Sequence, residues 1–190
     1  MPRSIEFQYH DPLDLIWLRV AADFGMTIVR SDEVFASWDG DSRLTLGTSA
    51  TLDADDCLAQ MVLHELCHAF VEGPAAWQEI DWGLRMDVAA QRVHELACMR
   101  LQAAITAPFG LRPMLAPTTN LRWYYNSLPD DPLAADPDDE EAIRLAKFGY
   151  EAAHQDKRLL QGLQLTSDLA KTIGSIAPAD SLWSQPTSAR

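Results

Sequence analysis

The strongest chemical signal in the sequence is a pair of histidines with a glutamate directly after the first. The string His64-Glu65-Leu66-Cys67-His68 has the form H-E-x-x-H. In a helix, four residues correspond to about 400° of rotation, so the two imidazoles lie one turn apart on one stripe and can bind one metal ion. Glu65 follows His64 by about 100° in a helix, a position from which a carboxylate can act as a general base on water. The string therefore predicts a metal site with hydrolytic chemistry.

The residues around this string predict a helix with separate core and ligand faces. From about Ala54 to Glu72, the apolar side chains spread over roughly half of the helical circumference. His64 and His68 fall on the opposite side, and Gly73 with the following proline ends the helix. We therefore expect the two histidines to face a ligand and not the core.

A catalytic zinc site needs a further ligand, because zinc there usually takes three protein ligands and leaves a fourth position open. Glu95 lies 27 residues after His68, in the middle of a second helix predicted from about Leu84 to Ala107. Two antiparallel helices would bring these positions together. His94 is an alternative third ligand. Its position in the helical repeat places it among apolar residues, which predicts that its side chain points inward. Three further carboxylates remain as alternatives: Glu72, Glu79 and Asp81.

The H-E-x-x-H string and the later run ELACMRLQAAI, which begins at Glu95, resemble the gluzincin metallopeptidases. The sequence is most similar to their short bacterial versions of the ImmA/IrrE type, over roughly residues 13–107. The resemblance implies that His64, His68 and Glu95 bind one Zn²⁺. It also implies an edge strand beside the cleft, a position that Arg43–Gly47 takes in the order of elements, where it would pair with an extended substrate backbone.

The mechanism of this family also implies a hydrogen-bond donor to the oxyanion, commonly a tyrosine or histidine after the ligand helix. Tyr124 and Tyr125 are favoured by their position in a loop-like segment, while Tyr150 and His154 qualify by type. The alternative is that the aromatic run at 123–125 only covers the core.

The sequence departs from the larger gluzincins at the position four residues after the ligand glutamate. Those proteins have an acidic residue there, and this chain has Met99. Asp87 and Gln91 are the remaining candidates for orienting His64 or His68.

The spacing of apolar and turn residues predicts an α+β fold in which a small sheet precedes most of the helices. Amphipathic helices are predicted at 13–24 and 138–162, with a short one at 166–173. Strands are predicted at Thr27–Val29, Val34–Trp38 and Arg43–Gly47. We expect a zincin-like metallopeptidase domain at 1–127, followed by an acidic proline-rich linker or loop at 128–141. A C-terminal helical extension at 142–178 is predicted to pack on the domain, and 179–190 is predicted to be a disordered tail.

Composition limits the classes of partner. The chain has 15 Lys and Arg residues against 28 Asp and Glu, a formal net charge of −13. This excess argues against nucleic acid and anionic lipid, which both require clustered basic residues. The sequence has no apolar run long enough to span a membrane, and its start lacks the apolar core of a signal peptide. Three cysteines without C-x-x-C spacing favour the cytoplasm, and Cys67 is predicted to pack in the core.

Together these features predict a zinc-dependent metallopeptidase that acts on a restricted protein or peptide substrate. Glu65 is the general base, with Tyr124 and Tyr125 as candidate oxyanion donors. The alternative function is a regulatory or interaction module that keeps the metal and the scaffold but has little general proteolytic activity.

Overall fold

The structure is a computed structural model that describes residues 6–84 and 89–184, and these residues form an α+β fold. Within them lie six α-helices: α1 (Pro12–Asp23), α2 (Leu58–Glu72), α3 (Ala89–Thr106), α4 (Arg122–Ser127), α5 (Glu140–Ala153) and α6 (Lys157–Gly174). The strands are β1 (Thr27–Ser31), β2 (Ala36–Trp38) and β3 (Arg43–Gly47). The predicted fold class is confirmed, and no described helix has both the length and the apolar character that a membrane crossing requires.

The first helix, α1, lies within one residue of the predicted range, 13–24. The Asp11 carboxylate accepts hydrogen bonds from the first turn, and Pro12 occupies a position where no backbone N–H is needed. Gly25, at φ +80°, lets the chain turn away after the helix. The fully buried Trp17 donates its indole N–H to Thr166 Oγ1 at 3.0 Å, which ties α1 to α6.

The sheet has the order β1-β3-β2, so its central strand is β3. Arg43–Gly47 pairs in parallel with β1 on one side and antiparallel with β2 on the other. The prediction that this strand forms the sheet edge beside the cleft is therefore wrong, because both of its edges are already hydrogen-bonded. Its side chains Leu44 and Leu46 are fully buried, as expected of a central strand. The two edge strands are β1 and β2, and β2 is the one that pairs antiparallel with β3.

The helix with the two histidines, α2, is surrounded by α1, α3 and α5. Because neighbours cover it on several sides, Glu65 and His68 are only 8% and 4% exposed. The predicted ligand face thus lies inside the protein, opposite α3, and is not an open surface. Cys67 is buried, as predicted.

The C-terminal half packs on the same core through α5 and α6, but the boundary between these two helices lies earlier than the predicted one between 138–162 and 166–173. The helix predicted at 138–162 is interrupted between Ala153 and Lys157. The physical reason is Asp156, whose carboxylate accepts from the backbone N–H groups of Arg158 and Leu159 and so starts α6 as a new helix. The segment predicted as a disordered tail, 179–190, contains a short 3-10 helix at Leu182–Ser184. Its final six residues lie outside the described residues.

Candidate metal centre

His64, His68 and Glu95 come together between α2 and α3. One ligand atom from each residue lies within 4.8 Å of the others. Glu95 reaches both histidines: its Oε2 is 3.5 Å from His64 Nε2, and its Oε1 is 3.3 Å from His68 Nε2. The two imidazole rings are 4.8 Å apart and nearly perpendicular. Two nitrogens and a carboxylate thus converge on one point.

The helices explain this convergence. Along α3, Cys98 lies beside His68, whereas Gln102 lies beside His64. The order of contacts is reversed between the two helices, so α3 runs antiparallel to α2. Glu95, Cys98 and Gln102 are spaced by three and four residues, which puts them on one helical face. That face of α3 meets the histidine stripe of α2.

Gln102 fixes the tautomer of His64. The Gln102 amide nitrogen donates to the backbone oxygen of Leu115 at 2.6 Å, so its Oε1 is the atom that lies 3.0 Å from His64 Nδ1. An amide oxygen only accepts, and Nδ1 therefore carries the hydrogen. In the neutral imidazole this leaves the lone pair on Nε2, which lies toward Glu95. The arrangement is the one that a metal-binding histidine requires.

Cys98 holds the second histidine. Its Sγ lies 3.1 Å from His68 Nδ1 in a fully buried contact. Burial raises the pKa of the Cys98 thiol well above its usual range, and the neighbouring carboxylate of Glu95 adds to this effect. Cys98 is therefore a neutral thiol that orients His68.

Sequence reasoning missed both orienting residues. Asp87 lies outside the described residues, and Gln91 Oε1 is buried without a hydrogen-bond partner among those described. Cys98 and Gln102 carried a usable signal, because they lie three and seven residues after Glu95 and so share its helical face.

The proximity of Glu95 to the two histidines shifts the pKa values of Glu95 and His64. Burial by itself raises the pKa of Glu95, but the bonds and charges of His64 and His68 outweigh it and bring this pKa far below the usual range of a carboxyl. In His64, burial opposes protonation, yet Glu95 and then Glu65 raise its pKa to about 9. A metal ion would replace this proton as the partner of the carboxylate, so binding releases a proton.

The other sequence alternatives for the third ligand have partners elsewhere. His94 Nδ1 lies 2.6 Å from Glu72 Oε1, in a separate pair. The Asp81 carboxylate accepts from the backbone of Trp38 in β2 at 3.0 Å. Glu79 is exposed. Glu95 is the one candidate that reaches both histidines.

Glu65 lies next to this group without belonging to it. Its Oε2 accepts a hydrogen bond from the indole N–H of Trp82 at 2.8 Å, in a buried contact. His64 and Glu65 also line a narrow groove, whose other walls come from Phe35 and Ala36 at the sheet edge and from 117–119. The side chain of the base candidate is therefore largely buried at the edge of this groove and held in place by Trp82.

Tyr124 and Tyr125, predicted as oxyanion donors, use their hydroxyls in other contacts. Tyr124 donates to Asp139 at 2.8 Å, and Tyr125 donates to the backbone oxygen of Arg112 at 2.9 Å. Both lie in α4 and pack in a second apolar cluster with Met99. This placement agrees with the alternative that the aromatic run covers the core. The other two candidates, Tyr150 and His154, stack on each other at 4.8 Å.

Comparisons of the chain with protein-family models, curated proteins and solved structures found no match. Any functional assignment therefore depends on the residues of this site and their geometry.

Proposed function

We propose that the protein is a zinc-dependent metallopeptidase of the gluzincin type. The observation that carries the proposal is the convergence of His64 Nε2, His68 Nε2 and the Glu95 carboxylate on one point, with Glu65 held separately beside them. Two helices supply these four groups, in the order and spacing that the sequence resemblance implies.

The donor set fits zinc. Two neutral imidazoles and one carboxylate are a common protein ligand set for catalytic Zn²⁺, and they leave one position open. Gln102 Oε1 accepts from Nδ1 of His64, which leaves Nε2 of the neutral ring free to bind, and the Cys98 sulfur lies against Nδ1 of His68, whose Nε2 lies toward Glu95. When bound, zinc supplies Lewis-acid chemistry that activates water and polarises a carbonyl.

Glu65 does the proton chemistry of the reaction. Its carboxylate takes a proton from the attacking water and passes it to the amine that leaves when the peptide C–N bond breaks. Trp82 holds one oxygen of the carboxylate. The side chain is therefore already oriented before the reaction, and no conformational entropy is lost in orienting it.

A substrate strand would enter beside β2, because this strand, and not β3, is the edge on the side of the groove. Ala36 of β2 lines the groove with His64 and Glu65. An extended peptide that pairs with a sheet edge is recognised mainly through its backbone. The three cysteines of the chain are free thiols, which suits a cytoplasmic setting.

Metal content and cleavage together test the proposal. We expect the purified wild-type protein to hold one zinc per chain, Glu95→Ala to lose it, and the neighbouring control His94→Ala to keep it. The measurement is elemental analysis after dialysis. Unchanged zinc in Glu95→Ala would contradict the assigned ligand set.

Cleavage is measured by comparing protein termini in native cells that express wild type or Glu65→Gln. We expect Glu65→Gln to keep zinc and to lose cleavage, so that new termini occur only with wild type. A partner that binds both proteins equally, without any new terminus, would favour the alternative of a regulatory module.

A further inference from the structure

Trp82 lies at an unusual turn of the backbone. Asp81 and Trp82 both have positive φ, at 48° and 60°. This left-handed region is unfavourable for residues with a side chain, and it is rare for one as large as tryptophan. Such strain persists only where the surrounding contacts hold it in place, and it is often found at functional sites.

Several contacts hold this turn against the sheet. Asp81 Oδ1 accepts from Ser37 Oγ at 2.9 Å and from the backbone N–H of Trp38 at 3.0 Å. The Trp82 ring stacks on the Trp38 ring with 4.9 Å between centroids and 2° between planes. Gly40, in the turn after β2, approaches so closely that a Cβ there would lie 3.1 Å from the backbone oxygen of Gln78. The segment that carries Trp82 is therefore docked at its backbone and at its rings.

The result of this docking is a single polar contact. The Trp82 indole N–H donates to Glu65 Oε2 at 2.8 Å, and Trp82 is only 4% exposed. An indole N–H is a donor only and cannot take a proton from a carboxyl group. Among the described residues, the hydrogen bonds of the Glu65 carboxylate reach Oε2 alone, so the other oxygen, Oε1, is the one available for a proton.

We propose that Trp82 is a positioning residue for Glu65, whose carboxylate it holds at one oxygen so that the other oxygen receives the proton. This inference rests on the proposed function, because it assigns Glu65 the role of base. It also gives the strained turn a purpose: the backbone at 81–82 aims the indole at Glu65, while Asp81 attaches the same turn to the sheet edge.

Two conservative substitutions separate positioning from packing. Trp82→Phe keeps an aromatic ring on Trp38 and removes the N–H. Trp77→Phe is the matched control, because Trp77 belongs to the same ring cluster, with its centroid 5.4 Å from that of Trp82. Both are compared with wild type and Glu65→Gln as zinc-loaded proteins, on the substrate identified from the new termini.

We expect Trp82→Phe to lower kcat by roughly tenfold or more, because a charge-assisted hydrogen bond to the base is lost. KM and zinc content are expected to stay within about twofold, since the variant leaves the ligands and the groove intact. Trp77→Phe is expected to leave all three values within about twofold. An unchanged kcat in Trp82→Phe, with Glu65→Gln inactive, would overturn the inference and leave the proposed function standing.

A second readout does not depend on activity. In ¹⁵N-labelled protein, the Trp82 indole signal is identified by its loss in Trp82→Phe. We expect this signal to move upfield in Glu65→Gln, because a neutral amide oxygen is a weaker acceptor than a carboxylate, while the Trp77 signal stays in place. A Trp82 signal that does not move would overturn the inference whatever the activity. Wild-type protein that cleaves nothing would overturn the proposed function itself, and the positioning role with it.

Discussion

Helix α3 carries two buried polar clusters on different faces, and they differ in how their charges are used. One contains Glu95, Cys98 and Gln102 and faces the histidines of α2. The other is built around Arg100 and faces α4 and the acidic segment that precedes α5. Both clusters bury ionisable groups of one helix, so a structural ion-pair cluster and the proposed metal centre can be compared directly.

The Arg100 cluster closes on itself. Arg100 is 1% exposed. Its guanidinium donates to Tyr124 Oη at 2.5 Å, to the backbone oxygen of Pro132 at 2.7 Å and to Asp139 Oδ2 at 2.6 Å. Burial tends to raise the pKa of Asp139, but the bonds from Arg100 and Tyr124 outweigh it and lower this pKa. Each nitrogen of the guanidinium has a partner within the protein, which is typical of a structural ion pair.

The metal centre is closed only on its outer side. Gln102 and Cys98 occupy the Nδ1 atoms of the two histidines, and both Nε2 atoms point inward to Glu95. The distances of 3.3 and 3.5 Å between these nitrogens and the Glu95 oxygens are longer than the hydrogen bonds of the Arg100 guanidinium. The two histidines are thus held at their outer nitrogens and paired only loosely with Glu95, which is consistent with the proposed metal site.

The largest effect on stability is expected from a substitution in the Arg100 cluster. Arg100→Met removes the charge and leaves Asp139 and Tyr124 without their partner, so the free energy of unfolding should fall by about 3–5 kcal/mol. The measurement is urea unfolding of the zinc-free protein. The control is Arg144→Met, which breaks an exposed pair with Glu141 and should change stability by less than about 0.5 kcal/mol. Equal effects of the two variants would remove the distinction between the clusters.

The next largest effect is the stabilisation expected when zinc binds at the metal centre. Zinc at about one hundred times its Kd should stabilise the folded protein by about 2.7 kcal/mol, because it binds the folded state. For a chain of this length the melting temperature should rise by roughly 5–10 °C. Glu95→Ala should abolish the rise and His94→Ala should keep it, as measured by thermal unfolding with and without zinc. Arg100→Met should melt lower than wild type and still respond to zinc, and a lost response would show that the clusters are coupled.

The four residues of the candidate site differ in how far they could be predicted from the sequence. His64, Glu65 and His68 lie within five residues, so their geometry follows from the helix alone. Glu95 needed a second helix, and the family pattern supplied it where periodicity favoured His94. Periodicity failed there because α3 itself packs against α2, α4 and α5, so polar and apolar faces of α3 both point inward.

The remaining features depend on contacts between distant parts of the chain. Arg100 has no local signal, because its partners are 24 to 39 residues away. The central position of β3 follows from the parallel pairing with β1, and the order of strands in a sheet is not encoded in the alternation of side chains. Trp82 reaches Glu65 across 17 residues through a backbone conformation that its sequence does not favour.

A smaller effect is expected when an orienting residue is changed and the metal ligands are kept. Gln102→Leu removes the acceptor for His64 Nδ1, and zinc affinity should fall by roughly 10- to 100-fold. Competition with a chromophoric chelator measures this change. Gln102→Glu restores an acceptor oxygen and should recover most of the affinity. If Gln102→Leu binds zinc as wild type does, the outer side of the metal centre does not contribute to its function.

The smallest effect is a difference in pH dependence, and it tests the closed cluster alone. Because the pKa of Asp139 is lowered in the folded protein, its contribution to stability is present above the unfolded pKa of about 3.9 and is lost as the pH falls through the folded value. In zinc-free protein, Asp139→Asn should therefore lose less stability than wild type between pH 7 and pH 3, as measured by urea unfolding at each pH. Asp168→Asn, at a carboxylate that is 58% exposed, is the control and should follow wild type. If Asp139→Asn also follows wild type, the ion pair of Arg100 with Asp139 is not a source of acid sensitivity, and the groups of the metal centre become the place to look for it.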